Sequence, residues 1–92
     1  MVKIRIDGIH LDPATLASYK TPEQEKSIKS MVKSLQEKGQ LEPIVVNADL
    51  TVIWRGHTRY FAAKRLEWSF IEAIIMNEKE WSNYISSNGA QV

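Results

Sequence analysis

TVIWRGHTRYFAAKRLEW, residues 51–68, changes character at a single glycine. Thr51 to Trp54 is a short β-branched and aromatic run of the kind that strands favour. Gly56 breaks it. From His57 the chain reads as a helix over 57–68. Ala62, Ala63 and Leu66 supply propensity and an apolar side, and Lys64 and Arg65 lie towards the negative end of the helix dipole. The stretch is therefore a strand-to-helix junction, and the rest of the chain is read outward from it.

Upstream, PIVVN (43–47) is a second β-branched run, joined to TVIW by the short connection ADL. The two runs are a hairpin or two adjacent strands. Before them, TPEQEKSIKSMVKSLQEKG (21–39) predicts a helix over 22–38. Thr21 suits the N-cap, Pro22 the first helical position, and Gln24 the return position of a capping box. Glu23 and Glu25 favour the positive end of the dipole. Ile28, Met31, Val32 and Leu35 follow the i, i+3, i+4, i+7 spacing of one buried stripe, and Gly39 stops the helix.

At the N-terminus, VKIRI (2–6) alternates apolar and polar residues as a half-buried strand does. Asp7-Gly8 signals a turn, and Asp12-Pro13 opens a short helical turn over 13–18. Downstream of the junction, SFIEAIIM (69–76) returns to strand. NEKEWSNYISS (77–87) is a weaker helix, and the tail 87–92 is expected to fray. The order strand, helix, strand, strand, helix, strand, helix implies an α+β domain over 1–92: a small mixed β-sheet packed with helices.

Composition bounds the function. The 92 residues are 43% hydrophobic and 25% charged, an ordinary globular balance for one domain with one core. A net charge of +1 is weaker than a dedicated nucleic-acid binder usually carries, so a DNA role would rest on a local patch. The absence of cysteine excludes disulfides, thiolate zinc sites and thiol redox chemistry within these residues. It fits a cytoplasmic protein. No apolar run is long enough to span a membrane and no signal-peptide core is present.

RGHTRY (55–60) carries the most chemistry. It is either a basic, solvated turn or a phosphate site. Main-chain N–H groups at the start of a helix lack intrahelical partners and attract anions. Gly56 admits a ligand close to the backbone. Arg59 offers a forked pair of donors, His57 a ring nitrogen and Thr58 a hydroxyl, with Arg55 adjacent. The bland reading has Thr58 as a cap and His57 as structural.

Two motifs together, GQLEPIVV (39–46) and GHTRYFAAKRL (56–66), resemble the N-terminal domain of the ParB/sulfiredoxin-like superfamily over about Ile9 to Met76. Members share a helix ending in glycine, a strand start of the Q-x-P-I-x-V kind, then a G-x-x-R motif opening a helix. The resemblance implies that fold and a nucleoside triphosphate, CTP or ATP, as ligand; a Mg2+ ion held mainly by its phosphates would need only one or two acidic residues. The resemblance implies phosphate contacts from Gly56, His57, Thr58 and Arg59. Ser30 and Ser34 match polar positions facing the nucleotide, against the alternative of a solvated helix face, and Pro43 and Ile44 shape the pocket wall. Sulfiredoxin chemistry needs a cysteine beside the motif, and none is present. Longer ParB proteins continue into a helix-turn-helix. With the sequence ending at Val92, DNA reading by that module and CTP hydrolysis in the ParB manner are not expected.

The expected role is a regulator or switch in DNA, plasmid or phage biology. The rivals are a Mg-dependent hydrolase, phosphotransferase or nuclease of the same fold, and a non-catalytic module with a degenerate site that binds DNA or protein. A small core also makes a homodimer a reasonable expectation. Asp49, Glu67 and Glu78 are the candidate acids. Trp54 either borders the pocket or packs, whereas Trp68 and Trp81 are read as packing. Either Tyr60 or Phe61 should turn inward. His10 is read as a surface residue, and Lys26, Lys29 and Lys33 form a basic stripe.

Overall fold

The computed structural model describes residues 1–88. Strand β1 (Val2–Arg5) runs into a 3-10 turn at Ile6–Gly8, so the expected strand ends one residue early. The short helix α1 (Pro13–Ser18) is capped as its sequence predicts, with the Asp12 carboxylate accepting from the Thr15 N–H at 2.7 Å. Helix α2 spans Pro22–Lys38, and the Thr21 hydroxyl accepts from the Gln24 N–H. Ile28 and Leu35 form its buried stripe. Met31 and Val32 are only half-buried and pack against the margin of the core.

Strands β2 (Ile44–Val46) and β3 (Ile53–Arg55) form an antiparallel hairpin. The connection is longer than ADL, because Thr51 and Val52 belong to the loop. Asn47 holds that loop: its side-chain oxygen accepts from the N–H groups of Thr51 and Val52, and its amide donates to the Thr51 hydroxyl. Helix α3 covers His57–Arg65, strand β4 Phe70–Ile75 and helix α4 Glu78–Asn88. Helix α3 stops three residues short of the expected end. Glu67 there takes a left-handed φ of 59°. Its N–H donates to Lys64 O and that of Trp68 to Ala63 O, which is the Schellman pattern. Helix α4 continues through Ser87 and Asn88, two residues into the expected tail; residues 89–92 lie outside the described residues.

The sheet has four strands in the order β1-β4-β2-β3. Its outer pairs are antiparallel and the central β2–β4 pair is parallel, so the sheet is mixed and the class α+β. Side chains alternate across a strand. Ile44, Val46, Ile53, Ile71 and Ala73 face α2 and α3 in the main core, with Ile28, Leu35, Tyr60, Ala62 and Ala63 from the helices. Burying each large aliphatic contributes about 1.5–3 kcal/mol. Val45 is 4% exposed yet lies outside that cluster, so it points to the opposite face of the sheet. Trp54 alternates with Ile53 in the same way and stacks on Trp81 of α4 at 5.6 Å, which puts α4 on that second face.

Gln40 joins β2 to β4 ahead of their ladder. Its side-chain oxygen accepts from the Glu72 N–H at 2.8 Å, and its amide donates to Glu72 O and Glu42 O. One side chain thus imitates a strand residue just before β2 begins.

Candidate functional site

Helices α2 and α3 cross the core face in opposite directions. The Glu25 carboxylate near the start of α2 receives both terminal nitrogens of Arg65 at the end of α3. That pairing holds the Glu25 carboxyl below its usual range. At the other end of the pair, Ser34 late in α2 and Thr58 early in α3 line one open groove of about 680 Å³. Lys26, Ser27, Ser30 and Met31 complete it. Its size lies within the range of small-molecule sites.

The first turn of α3 opens at this groove through Thr58. Gly56 is the N-cap residue, with φ 95° and ψ 25° in the left-handed region, and no side chain caps the helix. The first main-chain N–H groups of α3 are thus left for an outside acceptor. A side chain at 56 is excluded on two counts. The positive φ disfavours it, and a Cβ would lie 2.6 Å from Ile44 Cγ2. Glycine lets the junction sit directly on the buried β2 strand.

The sequence-predicted residues do not all converge. Ser30, Ser34 and Thr58 line the same groove. Ile44 is fully buried and acts as the platform beneath Gly56, and Pro43 beside it is half-buried. His57 turns its ring onto Tyr19, stacked at 5.2 Å and 13° between planes. Burial lowers the imidazole pKa, so the neutral form is favoured. Arg59 is 17% exposed in its side chain, with its guanidinium 3.8 Å from the Glu42 carboxylate. Arg55 points towards α4 and donates to the Tyr84 hydroxyl at 3.1 Å. The groove's built-in donors are therefore the α3 start, the Ser30, Ser34 and Thr58 hydroxyls and the Lys26 ammonium, whereas the Ser27 hydroxyl donates to Glu23 O.

Sequence reading missed Lys26 and Ser27 as groove residues. The signal was available, since 26, 30 and 34 are spaced i, i+4, i+8 on one helix face. It also missed Glu42 as the partner of Arg59, a contact no local spacing reveals. Tyr60 is the inward-turned aromatic, at 2% exposed, and Trp68 packs against the core. Trp54 is a packing residue, sandwiched with Trp81, which in turn stacks on Tyr84. His10, Lys29 and Lys33 are exposed.

Among the described residues, no group of three or more His, Cys, Asp or Glu is placed to hold a metal ion. No helix there is long and apolar enough to cross a membrane.

A family model for the ParB N-terminal domain matches residues 2–89. Two solved structures share the fold. One is the C2221 form of a Pnob8-like ParB-N domain, with TM-score 0.64 and 20% identity over 83% of this chain and 29% of that one. The other is the C-terminally truncated chromosome-partitioning protein ParB from Caulobacter crescentus complexed with CTP-gamma-S, with TM-score 0.67 and 21% identity over 95% of this chain and 51% of that one. The chain thus spans about half or less of the length of either. No curated protein matches the sequence.

Proposed function

The chain belongs to the ParB N-terminal domain family, and from that premise we propose that it binds a nucleoside triphosphate in the groove between α2 and the start of α3. The observation that carries this reading is the uncapped, glycine-led α3 start opening on a groove lined by hydroxyls and one lysine, with no acidic side chain. The phosphates sit against the N–H groups that follow Gly56 and against the Thr58 hydroxyl. Ser30, Ser34 and Lys26 face them from α2. Arg59 reaches the phosphates by exchanging its loose contact with Glu42 for a charge-assisted one. The likeness to a ParB bound to CTP-gamma-S supports a cytidine nucleotide over an adenine one.

Mg2+, if bound, would neutralise phosphate charge and would need few ligands from the protein. Among the described residues the groove lining carries no acidic side chain, and the site is read as a switch. Its biological setting is DNA partition or a related plasmid or phage process, in which a partner responds to the loaded state.

A thermal-shift series with CTP, ATP, GTP and UTP, each with and without Mg2+, tests the reading. A ligand that binds only the folded state raises the melting temperature by mass action. A rise with CTP that is lost in Arg59→Ala supports the site. No rise with any nucleotide at millimolar concentration overturns it. Phosphate release with CTP and Mg2+ would move the protein to the hydrolase class.

A further inference from the structure

A second cleft lies away from the nucleotide groove and shares no residue with it. It has a volume of about 480 Å³ and is formed where β1 ends, between the 6–10 segment, α3 and the start of β4. Ile6, Ile9 and Trp68 give it an apolar lining. Tyr60 also lines it. That residue is 98% buried by difference from its 2% exposure, and its hydroxyl has no hydrogen-bond partner among the described residues. The hydroxyl is not sealed in the core either, since no buried side-chain polar atom is left unsatisfied. An unpaired but accessible hydroxyl on a buried ring opens into the cleft that the ring lines.

The charges around it favour an anion. The Lys64 ammonium lies over the Tyr60 ring, 5.8 Å from its centroid, and Lys64 lines the same cleft. Arg5 lines the same cleft and neutralises the one acidic residue there, donating from Nε and Nη2 to the Asp7 carboxylate at 2.9 and 3.0 Å. The remaining guanidinium hydrogens stay available. His10 and Ser69 add two further donors on the rim. Burying a hydroxyl-bearing ring without a partner costs stability unless water or a ligand satisfies it.

We infer that this cleft is a second ligand site, for an oxyanion borne on an apolar or aromatic body. The oxyanion meets the Tyr60 hydroxyl, Lys64 and Arg5, and the body rests on Ile6, Ile9 and Trp68. A carboxylate and a phosphate monoester share this chemistry, and the probes separate them.

The test is an amide-shift titration of the whole chain with benzoate, phenyl phosphate and the neutral isostere benzamide. Saturable shifts centred on Ile6–His10, Tyr60, Lys64 and Ser69 are expected for at least one anion, with dissociation constants on the order of 1 mM or tighter. Whichever anion saturates first names the class. Tyr60→Phe keeps the ring and the core, and should weaken binding roughly tenfold, as loss of a hydrogen bond to a charged group does. Lys64→Gln should weaken it by a similar factor, and neither change should alter shifts produced by CTP at Thr58 and Ser30. Shifts that stay linear, that benzamide reproduces, or that Tyr60→Phe leaves unchanged overturn the assignment.

Discussion

Gly56 rests on Ile44 so closely that a Cβ there would approach Ile44 Cγ2 to 2.6 Å and its Cα to 3.2 Å. Ile44 is completely buried on a central strand and has nowhere to yield. Gly56→Ala should therefore combine left-handed strain of about 1–2 kcal/mol with overpacking of about 1–3 kcal/mol. A loss of roughly 3 kcal/mol corresponds to a fall in melting temperature of about 10–20 °C for a domain of this size. Differential scanning calorimetry of the variant measures it. A change below about 1 kcal/mol would show that the junction is looser than its geometry implies.

Arg59 and Glu42 make a loose pair that a phosphate can displace. Arg59→Ala should weaken nucleotide binding by about 2 kcal/mol, near thirtyfold. Glu42→Gln should act in the opposite sense and tighten it by a few-fold, because the guanidinium no longer has to leave a carboxylate. Isothermal titration with CTP checks both signs. Weaker binding in Glu42→Gln would mean that the carboxylate positions Arg59 for the ligand.

His57 gives the fold a dependence on pH with a defined sign. Its pKa is lowered in the folded state by burial, so the unfolded chain binds the proton more tightly. Stability is then full above the unfolded value near 6.5 and falls as pH drops through it. Asp7, Asp12 and Glu25 have lowered pKa values too, but their losses begin at more acid pH. Melting temperatures between pH 7.5 and 5.5 should fall for the parent chain. They should stay flatter for His57→Phe, which keeps the stack on Tyr19 and removes the titration.

Gln40 tests how far one side chain can stand in for main chain. Gln40→Ala leaves the Glu72 N–H without its acceptor and should cost about 1–3 kcal/mol. Gln40→Glu should cost more at neutral pH, because a carboxylate oxygen replaces an amide that donates to two carbonyls. Urea denaturation of both variants, with unchanged m-values, separates this from a change of fold.

Glu67 offers a stabilising substitution. It holds φ 59° at the end of α3, where glycine carries no Cβ penalty. Glu67→Gly should raise stability by roughly 1 kcal/mol, read as a higher urea midpoint.

The elements legible in the sequence are those whose signals are local. Thr21, Pro22 and Gly39 delimit α2 by themselves, and the runs PIVVN (43–47) and TVIW (51–54) announce a hairpin or two adjacent strands. The mixed sheet followed from element order. The strand order β1-β4-β2-β3 did not, because pairing is settled by contacts distant in sequence. The clamp from Gln40 to Glu72 is of the same kind. Helix α3 ends early because Glu67 accepts a conformation that its residue type does not advertise. In the site, Gly56 and Thr58 were readable from their position at a helix start, and Ser30 and Ser34 from a resemblance. The actual neighbours of His57 and Arg59 were not, since Tyr19 and Glu42 reach them only through the tertiary fold.

The near-parallel indoles of Trp54 and Trp81, 7° apart in plane, also have an optical meaning. Each indole lies in the other's near field at this separation, so the near-ultraviolet circular dichroism and the fluorescence of the pair should change when α4 leaves the sheet. Trp68 packs against the main core and takes no part in that stack. The chain thus carries its own spectroscopic gauge of whether α4 is seated, readable without a label and separable from the signal of global melting.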